Sequence, residues 1–180
     1  MPFGKAFTEC SVTSKTQAEV CFGFLENEVE SLCEKYQMSF LQIKSWYDGY
    51  VLRLKENVYN PVSIVKAMYN GECGPYWTRT ETYEALSLYL DLDIEGLKRD
   101  VTAMLEGKTI EVVNCKFVCN RELFISKDHV LIMLVHLGYL TYDTENHTVR
   151  IPNEEIRQEF FRAIKYRQNW KDVMEKVKMR

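Results

Sequence analysis

The residues best suited to chemistry are six cysteines, three histidines and a few paired carboxylates, so their spacing decides what they can do. The cysteines stand at positions 10, 21, 33, 73, 115 and 119, and none forms a C-x-x-C pair. Cys115, Cys119 and a histidine are a conceivable zinc set, but they do not follow the common zinc patterns. The first residues, MPFGKAFTEC, lack the features of a secretory signal. We therefore expect reduced thiols in a cytoplasmic protein, and no metal site.

The histidines and carboxylates do not form a catalytic set. No histidine has an i,i+4 histidine partner, and His136 stands among leucines, as a packed core histidine does. The paired acids Asp91/Asp93 and Glu154/Glu155 are each explained by a helix start. The chain contains no G-x-x-x-x-G-K-[ST], no G-x-G-x-x-G and no G-x-S-x-G motif. We predict no catalytic residue and no cofactor site within this chain.

Composition and charge indicate a globular protein with an uneven charge distribution. The 180 residues are 46% hydrophobic and 27% charged, and no apolar run is long enough to span a membrane. The net charge is -3, yet residues 157–180 hold eight Lys/Arg against three Asp/Glu, a local balance of +5. A basic tail is typical of a solvated last helix, and also of a contact with nucleic acid or an acidic partner. Composition alone leaves both open.

The elements that must position these residues are mostly helices. Apolar spacing predicts helices over residues 25–36, 40–47, 61–69, 81–90, 94–106, 127–137 and 154–166. Side chains of the types that accept hydrogen bonds at helix starts precede six of them: Ser39, Asn60, Thr80, Asp93, Ser126 and Asn153. Gly107 and Gly138 are placed to end two of the helices. The fold class predicted is mainly α with short β-hairpins.

The stretch WYDGY, residues 46–50, reads as the end of a helix and the start of a strand. Trp46 and Tyr47 complete an apolar helix face, and Asp48 and Gly49 form the stop, since glycine accepts the conformation that a tight turn needs. Tyr50 begins the extended run YVLRL, which is predicted to pair with the VY of residues 58–59 as a hairpin.

A second predicted hairpin lies near the C-terminus. TIEVV and KFV alternate like short strands, and YLTYD, TENH and TVRIP read as strand, turn and strand. The order is that of a winged helix, in which two helices are followed by a strand, a turn and a strand. The wing would cover residues 139–151. The helix before the wing is apolar on most sides. Its candidates for outward-facing side chains are Lys127, Asp128, His129 and His136. Packing is therefore favoured over DNA readout.

Five separated blocks together resemble one known family. They are GFLENEVESLCEKYQMSFLQIKSWYDGY, VYNPVSIVKAM, PYWTRTETYEAL, HLGYLTYD and VRIPNEEIRQEF. In this order they resemble the bacterial AAA-ATPase-like family, and the match covers residues 7–163. Members typically place a P-loop ATPase domain first, then a helical segment with a winged-helix-like part, and many end in a PD-(D/E)xK nuclease-like domain.

The resemblance implies an accessory role. The family's nucleotide-binding and magnesium-binding motifs would precede residue 1, so ATP and Mg²⁺ are expected only with the missing ATPase domain, the expected partner. The implied parts are residues 1–20, an edge of the ATPase domain or a disordered segment, a helical segment at 21–106, a winged-helix-like part at 107–165, and a basic tail at 166–180. Arg79 is the residue most suited to approach a phosphate, or else pairs with a nearby carboxylate such as Glu81. The implied hinge or docking residues are Trp46, Tyr47, Asp48, Gly49, Tyr50, Tyr59, Asn60, Pro61 and Trp77.

Two alternatives stay open from the residues. The first is a DNA-binding winged-helix module, supported by the basic tail and the wing. The second is a stand-alone protein-interaction module with Trp46, Tyr50, Tyr59 and Trp77 as anchors, which requires those aromatic side chains to be exposed.

Overall fold

The computed structural model describes residues 23–51, 57–77, 82–92, 94–113, 126–165 and 167–173. Its helices are α1 Glu26–Tyr36, α2 Phe40–Tyr47, α3 Pro61–Asn70, α4 Thr82–Asp91, α5 Leu97–Leu105, α6 Lys127–His136 and α7 Glu154–Ile164, with a 3₁₀ turn at Gln168–Trp170. Its strands are β1 Phe24–Leu25, β2 Tyr50–Val51, β3 Asn57–Tyr59, β4 Ile110–Glu111, β5 Thr141–Asp143 and β6 Thr148–Arg150. The mainly helical class with short antiparallel strands is confirmed. None of the helices in these ranges is both long and apolar enough to cross a bilayer.

The predicted helix starts are confirmed wherever the structure describes the capping residue. Ser39, Asn60, Ser126 and Asn153 each accept a hydrogen bond from a backbone N–H in the first turn of their helix. The distances run from 2.9 Å for the Asn60 cap to 3.5 Å for the Ser126 cap. These caps satisfy donors that have no partner within the helix. The predicted caps Thr80 and Asp93 lie outside the described residues.

The predicted starts of α5 and α1 are wrong, and several predicted helix ends differ by one or two residues. Helix α5 was predicted from residue 94, but it begins at Leu97 because Gly96 takes a left-handed conformation, with φ of 85°, that a helix cannot continue through. Helix α1 was predicted from Leu25, which instead ends β1. There the backbone N–H of Leu25 donates to the Glu28 carboxylate at 2.8 Å, so the glutamate side chain holds the start of α1 in place of a polar cap.

The first sheet contains the predicted hairpin and one strand more. Strands β2 and β3 pair antiparallel with Tyr50 opposite Val58, as predicted from YVLRL and VY. Strand β1 pairs on the other side of β3, with Phe24 opposite Tyr59, so β3 is central. A strand of two residues carries too little alternation to be recognised in the sequence.

The second sheet has the order β4-β6-β5. The predicted hairpin of β5 and β6 is confirmed, with Tyr142 opposite Val149. Its turn is held by Asp143, whose carboxylate accepts backbone N–H bonds from Glu145 and Asn146 at 2.8 and 3.1 Å. Part of the predicted strand TIEVV forms β4, which pairs with β6, and the predicted strand KFV lies outside the described residues.

The buried side chains of the described residues form two apolar clusters. The first cluster is built from α1, α2, α3, β3 and the loop after α3, with the buried residues Val29, Cys33, Ile43, Tyr47, Tyr59, Ile64, Ala67, Met68 and Tyr76. The second cluster is built from helices α4 to α7, the second sheet and residues after α7, with Leu86, Val101, Val130, Leu134, Tyr139, Val149, Ile156 and Phe160 among its buried members. Helices α4 and α5 therefore belong to the same cluster as the wing hairpin, although they precede residue 107. His136 on α6 is half-buried, and burial lowers its pKa.

Candidate interaction site

The WYDGY stretch lies between the two clusters. Tyr47 is buried in the first cluster, where its hydroxyl donates to the Gly74 carbonyl and accepts from the Gly74 N–H, both at 2.9 Å. Burial raises the pKa of Tyr47, so the phenol stays neutral. Trp46 is half-buried beside it, and its ring centroid lies 6.2 Å from that of Tyr47. The helical end of WYDGY thus packs inward, as the sequence predicts.

The glycine of WYDGY is pressed against the second cluster. Gly49 has φ of 114°, and a Cβ at this position would lie 2.1 Å from the carbonyl oxygen of Pro152. The Arg150 guanidinium donates to the carbonyl oxygens of both Gly49 and Pro152, at 3.3 and 3.2 Å. Two backbone segments a hundred residues apart are therefore held in direct contact, and only glycine permits that approach.

The last residue of WYDGY reaches the turn after α6. The hydroxyl of Tyr50 donates to the Gly138 carbonyl at 2.7 Å, and the Tyr50 side chain packs on the second cluster. Burial raises the pKa of Tyr50. Trp77 meets the same turn, with its ring centroid 5.4 Å from that of Tyr139. Both aromatic side chains, Tyr50 and Trp77, therefore make contacts within the chain.

A buried carboxylate lies where the two clusters meet, a region that we call the junction. Glu155 is 2% exposed and stands in the first turn of α7. Its Oε1 accepts from the backbone N–H groups of Tyr76 and Trp77, at 2.7 and 2.9 Å. The Ser63 hydroxyl, in the first turn of α3, lies 3.0 Å from Oε1 and 2.8 Å from Oε2 and donates to the carboxylate. One acceptor thus joins α3, the loop after it and α7.

The electrostatics of Glu155 are set by competing effects. Burial, the largest effect, raises the pKa of this carboxyl, and the charge of Glu159 adds to the rise. The hydrogen bonds from Trp77, Ser63 and Tyr76 act in the opposite direction. The sequence predicts Glu155 only as part of a helix start. Its place on the apolar stripe of α7, beside Ile156 and one turn before Glu159, was the signal of a buried acceptor.

The raised pKa of Glu155 predicts a pH dependence of stability. The folded protein holds the proton of Glu155 more tightly than the unfolded chain does. The stability that this proton contributes is therefore fully present below the ordinary pKa of 4.5 and is lost as pH rises through the raised pKa. We expect the free energy of unfolding of the wild type, relative to Glu155→Gln, to fall as pH rises from 4.5. Urea unfolding of both proteins across this range tests it, since all other titrating groups are shared. A relative stability that stays constant or rises contradicts it.

The remaining predicted site residues have structural roles or are not described. Tyr59 is fully buried, Asn60 caps α3 and Pro61 occupies its first position. Asp48 accepts from the Gly49 N–H at 2.7 Å. Arg79, the predicted phosphate contact, lies outside the described residues, as do Cys115 and Cys119. Among the residues that the structure describes, no group of three or more His, Cys, Asp and Glu side chains could hold a metal ion.

An exposed apolar face lies on the outer side of α3. Val62, Val65 and Tyr69 are 48, 55 and 88% exposed. Residues at these spacings share one side of a helix, and we call the three side chains the α3 face. Lys66 is the one charged residue of α3, and it is also exposed. The opposite side of the helix is buried in the first cluster. The sequence signal for this face is that α3 is apolar on both sides, a pattern that is typical of a helix buried on both sides.

The geometry therefore contains a closely packed junction and an apolar helix face open to solvent. Comparison with protein-family models, with curated proteins and with solved structures finds no match for this chain.

Proposed function

We propose that this chain is a non-catalytic lid and winged-helix module that packs on the nucleotide-binding domain of an AAA-ATPase-like protein. The observation that carries the proposal is the α3 face. Apolar side chains that line one side of a helix and remain open to water are typical of a protein interface. Tyr69, exposed by 88%, is of a residue type that is enriched among interface hot spots.

The arrangement of the second cluster supports the winged-helix part of the proposal. Helix α6 leads directly into the β5–β6 hairpin, and β4, which precedes α6, completes the sheet in the order β4-β6-β5. Residues on most sides of α6 are buried or half-buried, so this helix is used for packing. Such a helix has no free side with which to enter a DNA groove.

The charges of the described residues argue against DNA binding. The turn of the β5–β6 hairpin carries Asp143 and Glu145, which repel phosphate. Several cations are already paired with carboxylates: Lys127 with Asp100, Lys98 with Asp172, Lys108 with Glu106 and Arg167 with Asp91. An open groove of about 500 Å³ along α5 is lined by the cations Lys98, Arg99 and Lys108 and by the carboxylates Glu106 and Asp172, so its net positive charge is small.

Binding to a purified ATPase domain tests the proposal. The probe is the isolated P-loop domain of an AAA-ATPase-like protein, chosen because its own helical segment matches the five sequence blocks. We expect measurable binding by calorimetry. We also expect Val65→Ser with Tyr69→Ser to weaken it by about 30-fold or more, since a hot-spot residue contributes about 2 kcal/mol or more.

The matched control is Leu88→Ser. Leu88 is 63% exposed on α4, away from the α3 face, so its loss removes a similar apolar side chain without touching the proposed interface. We expect it to bind like the wild type. No binding by the wild type, or equal binding by the α3 double variant, would overturn the proposal.

A further inference from the structure

The α3 face and the junction are connected through consecutive residues. Val62 points outward on the α3 face, while Ser63 points inward and donates to the Glu155 carboxylate. The same carboxylate holds the N–H groups of Tyr76 and Trp77, in the loop that follows α3. A shift of α3 therefore changes the hydrogen bonds of a side chain that belongs to α7.

We propose that Glu155 is a positioning residue that couples the α3 face to the second cluster. The coupling rests on the proposed function in one respect, namely that a partner docks on the α3 face. When docking moves α3, Ser63 moves with it, and Glu155 transmits the change to α7 and to the hairpin packed beside it.

The physical basis is that a buried hydrogen-bonding set has few acceptable arrangements. The Ser63 hydroxyl and the two loop N–H groups share one acceptor group in a place where Glu155 is 2% exposed. Buried donors that lose their acceptor are strongly disfavoured, so the set holds together or opens as a unit. A set of this kind passes a displacement from one element to the next in discrete steps.

The hydrogen bonds of Glu155 make it possible to separate the shape of its side chain from its charge by substitution. Oε1 accepts from both loop N–H groups and from Ser63, whereas Oε2 meets only the Ser63 hydroxyl. In Glu155→Gln the amide oxygen can take the place of Oε1, and the NH₂ group can donate to the Ser63 oxygen. Glu155→Ala provides no acceptor. Gln is therefore expected to preserve the coupling, and Ala to abolish it.

Hydrogen exchange followed by mass spectrometry on the free chain tests the coupling without any partner. In the wild type and in Glu155→Gln, we expect peptides from residues 57–77 and 127–164 to respond together to low urea concentrations. In Glu155→Ala, we expect residues 57–77 to exchange at least tenfold faster, with residues 127–164 changed less than twofold. Glu154→Ala is the control, because Glu154 is partly exposed on the same helical turn and its carboxylate pairs with Arg157 at 3.1 Å.

Ser63→Ala is the second variant, for the case in which Glu155→Ala does not fold. It removes only the α3 connection and leaves Glu155 with its two loop donors, so residues 61–70 are expected to exchange faster while the loop stays protected. Equal acceleration in both clusters for either variant, or no acceleration at all, would overturn the coupling.

A second arm adds the ATPase-domain probe. On binding, the wild type is expected to gain protection at residues 138–155 as well as on α3, and Ser63→Ala only on α3. Remote protection that persists in Ser63→Ala would overturn the coupling. If the probe does not bind at all, the proposed function fails, while the exchange experiment on the free chain still decides whether Glu155 joins the clusters.

Discussion

Gly49→Ala is expected to destabilise the protein by about 3 kcal/mol, a large effect for the addition of one methyl group. The new Cβ would lie 2.1 Å from the Pro152 carbonyl oxygen and 2.7 Å from its carbon, so one of the two backbone segments has to move. Such a movement also disturbs the hydrogen bonds that Arg150 makes to both carbonyls. Urea unfolding measures the loss.

The control for this prediction is Gly71→Ala. Gly71 also has a positive φ, 69°, but a Cβ there would meet nothing within 4 Å. Its replacement therefore reports the conformational strain alone, about 1 kcal/mol. If the two variants lose the same stability, the contact between Gly49 and Pro152 contributes nothing, and the two clusters are not held together at this point.

Phe160→Ala is expected to lower the free energy of unfolding by about 3 to 5 kcal/mol, as large-to-small replacements of buried aromatics do. Phe160 is fully buried on α7, and its ring meets that of Tyr139 edge to face at a centroid distance of 6.2 Å. The cavity left behind would lie in the second cluster, beside the turn that receives Tyr50 and Trp77. Chemical denaturation in urea or guanidinium checks the value.

Phe161→Ala is the matched control, one residue further along the same helix. Phe161 is half-buried, and the Arg157 guanidinium lies 5.0 Å from its ring centroid. Because its ring is partly in water already, we expect a loss of about 1 kcal/mol. A Phe160→Ala variant no less stable than Phe161→Ala would contradict the assignment of Phe160 to the core.

Local features of the fold were predictable because they depend on neighbours in the chain. The caps at Ser39, Asn60, Ser126 and Asn153 follow from one side chain and the next turn of backbone. The two hairpins follow from alternation and turn residues. The start of α5 differs from the prediction because the apolar repeat continues through Gly96, whereas the left-handed conformation of Gly96 ends the preceding turn.

The junction could not be predicted, because it depends on residues far apart in the sequence. The sequence around Gly49 does not indicate that Pro152 is its neighbour, and the sequence around Glu155 does not indicate that Ser63 bonds to it. The WYDGY stretch was correctly interpreted as helix, turn and strand, but its contact with the second cluster appears only in three dimensions. The same limit applies to the α3 face, since its exposure depends on which side of α3 the first cluster covers.

The position of Glu155 late in the chain has a consequence for synthesis on the ribosome. Within the part of the chain that the structure describes, the buried residues of the first cluster lie between Val29 and Tyr76, so these apolar side chains are synthesised early. Glu155 follows Tyr76 by 79 residues, which at about 5 to 20 residues per second is a delay of roughly 4 to 16 seconds. During that interval the Ser63 hydroxyl and the two loop N–H groups lack the carboxylate that accepts from them in the folded chain. The nascent first cluster is therefore open at the surface that later closes on α7.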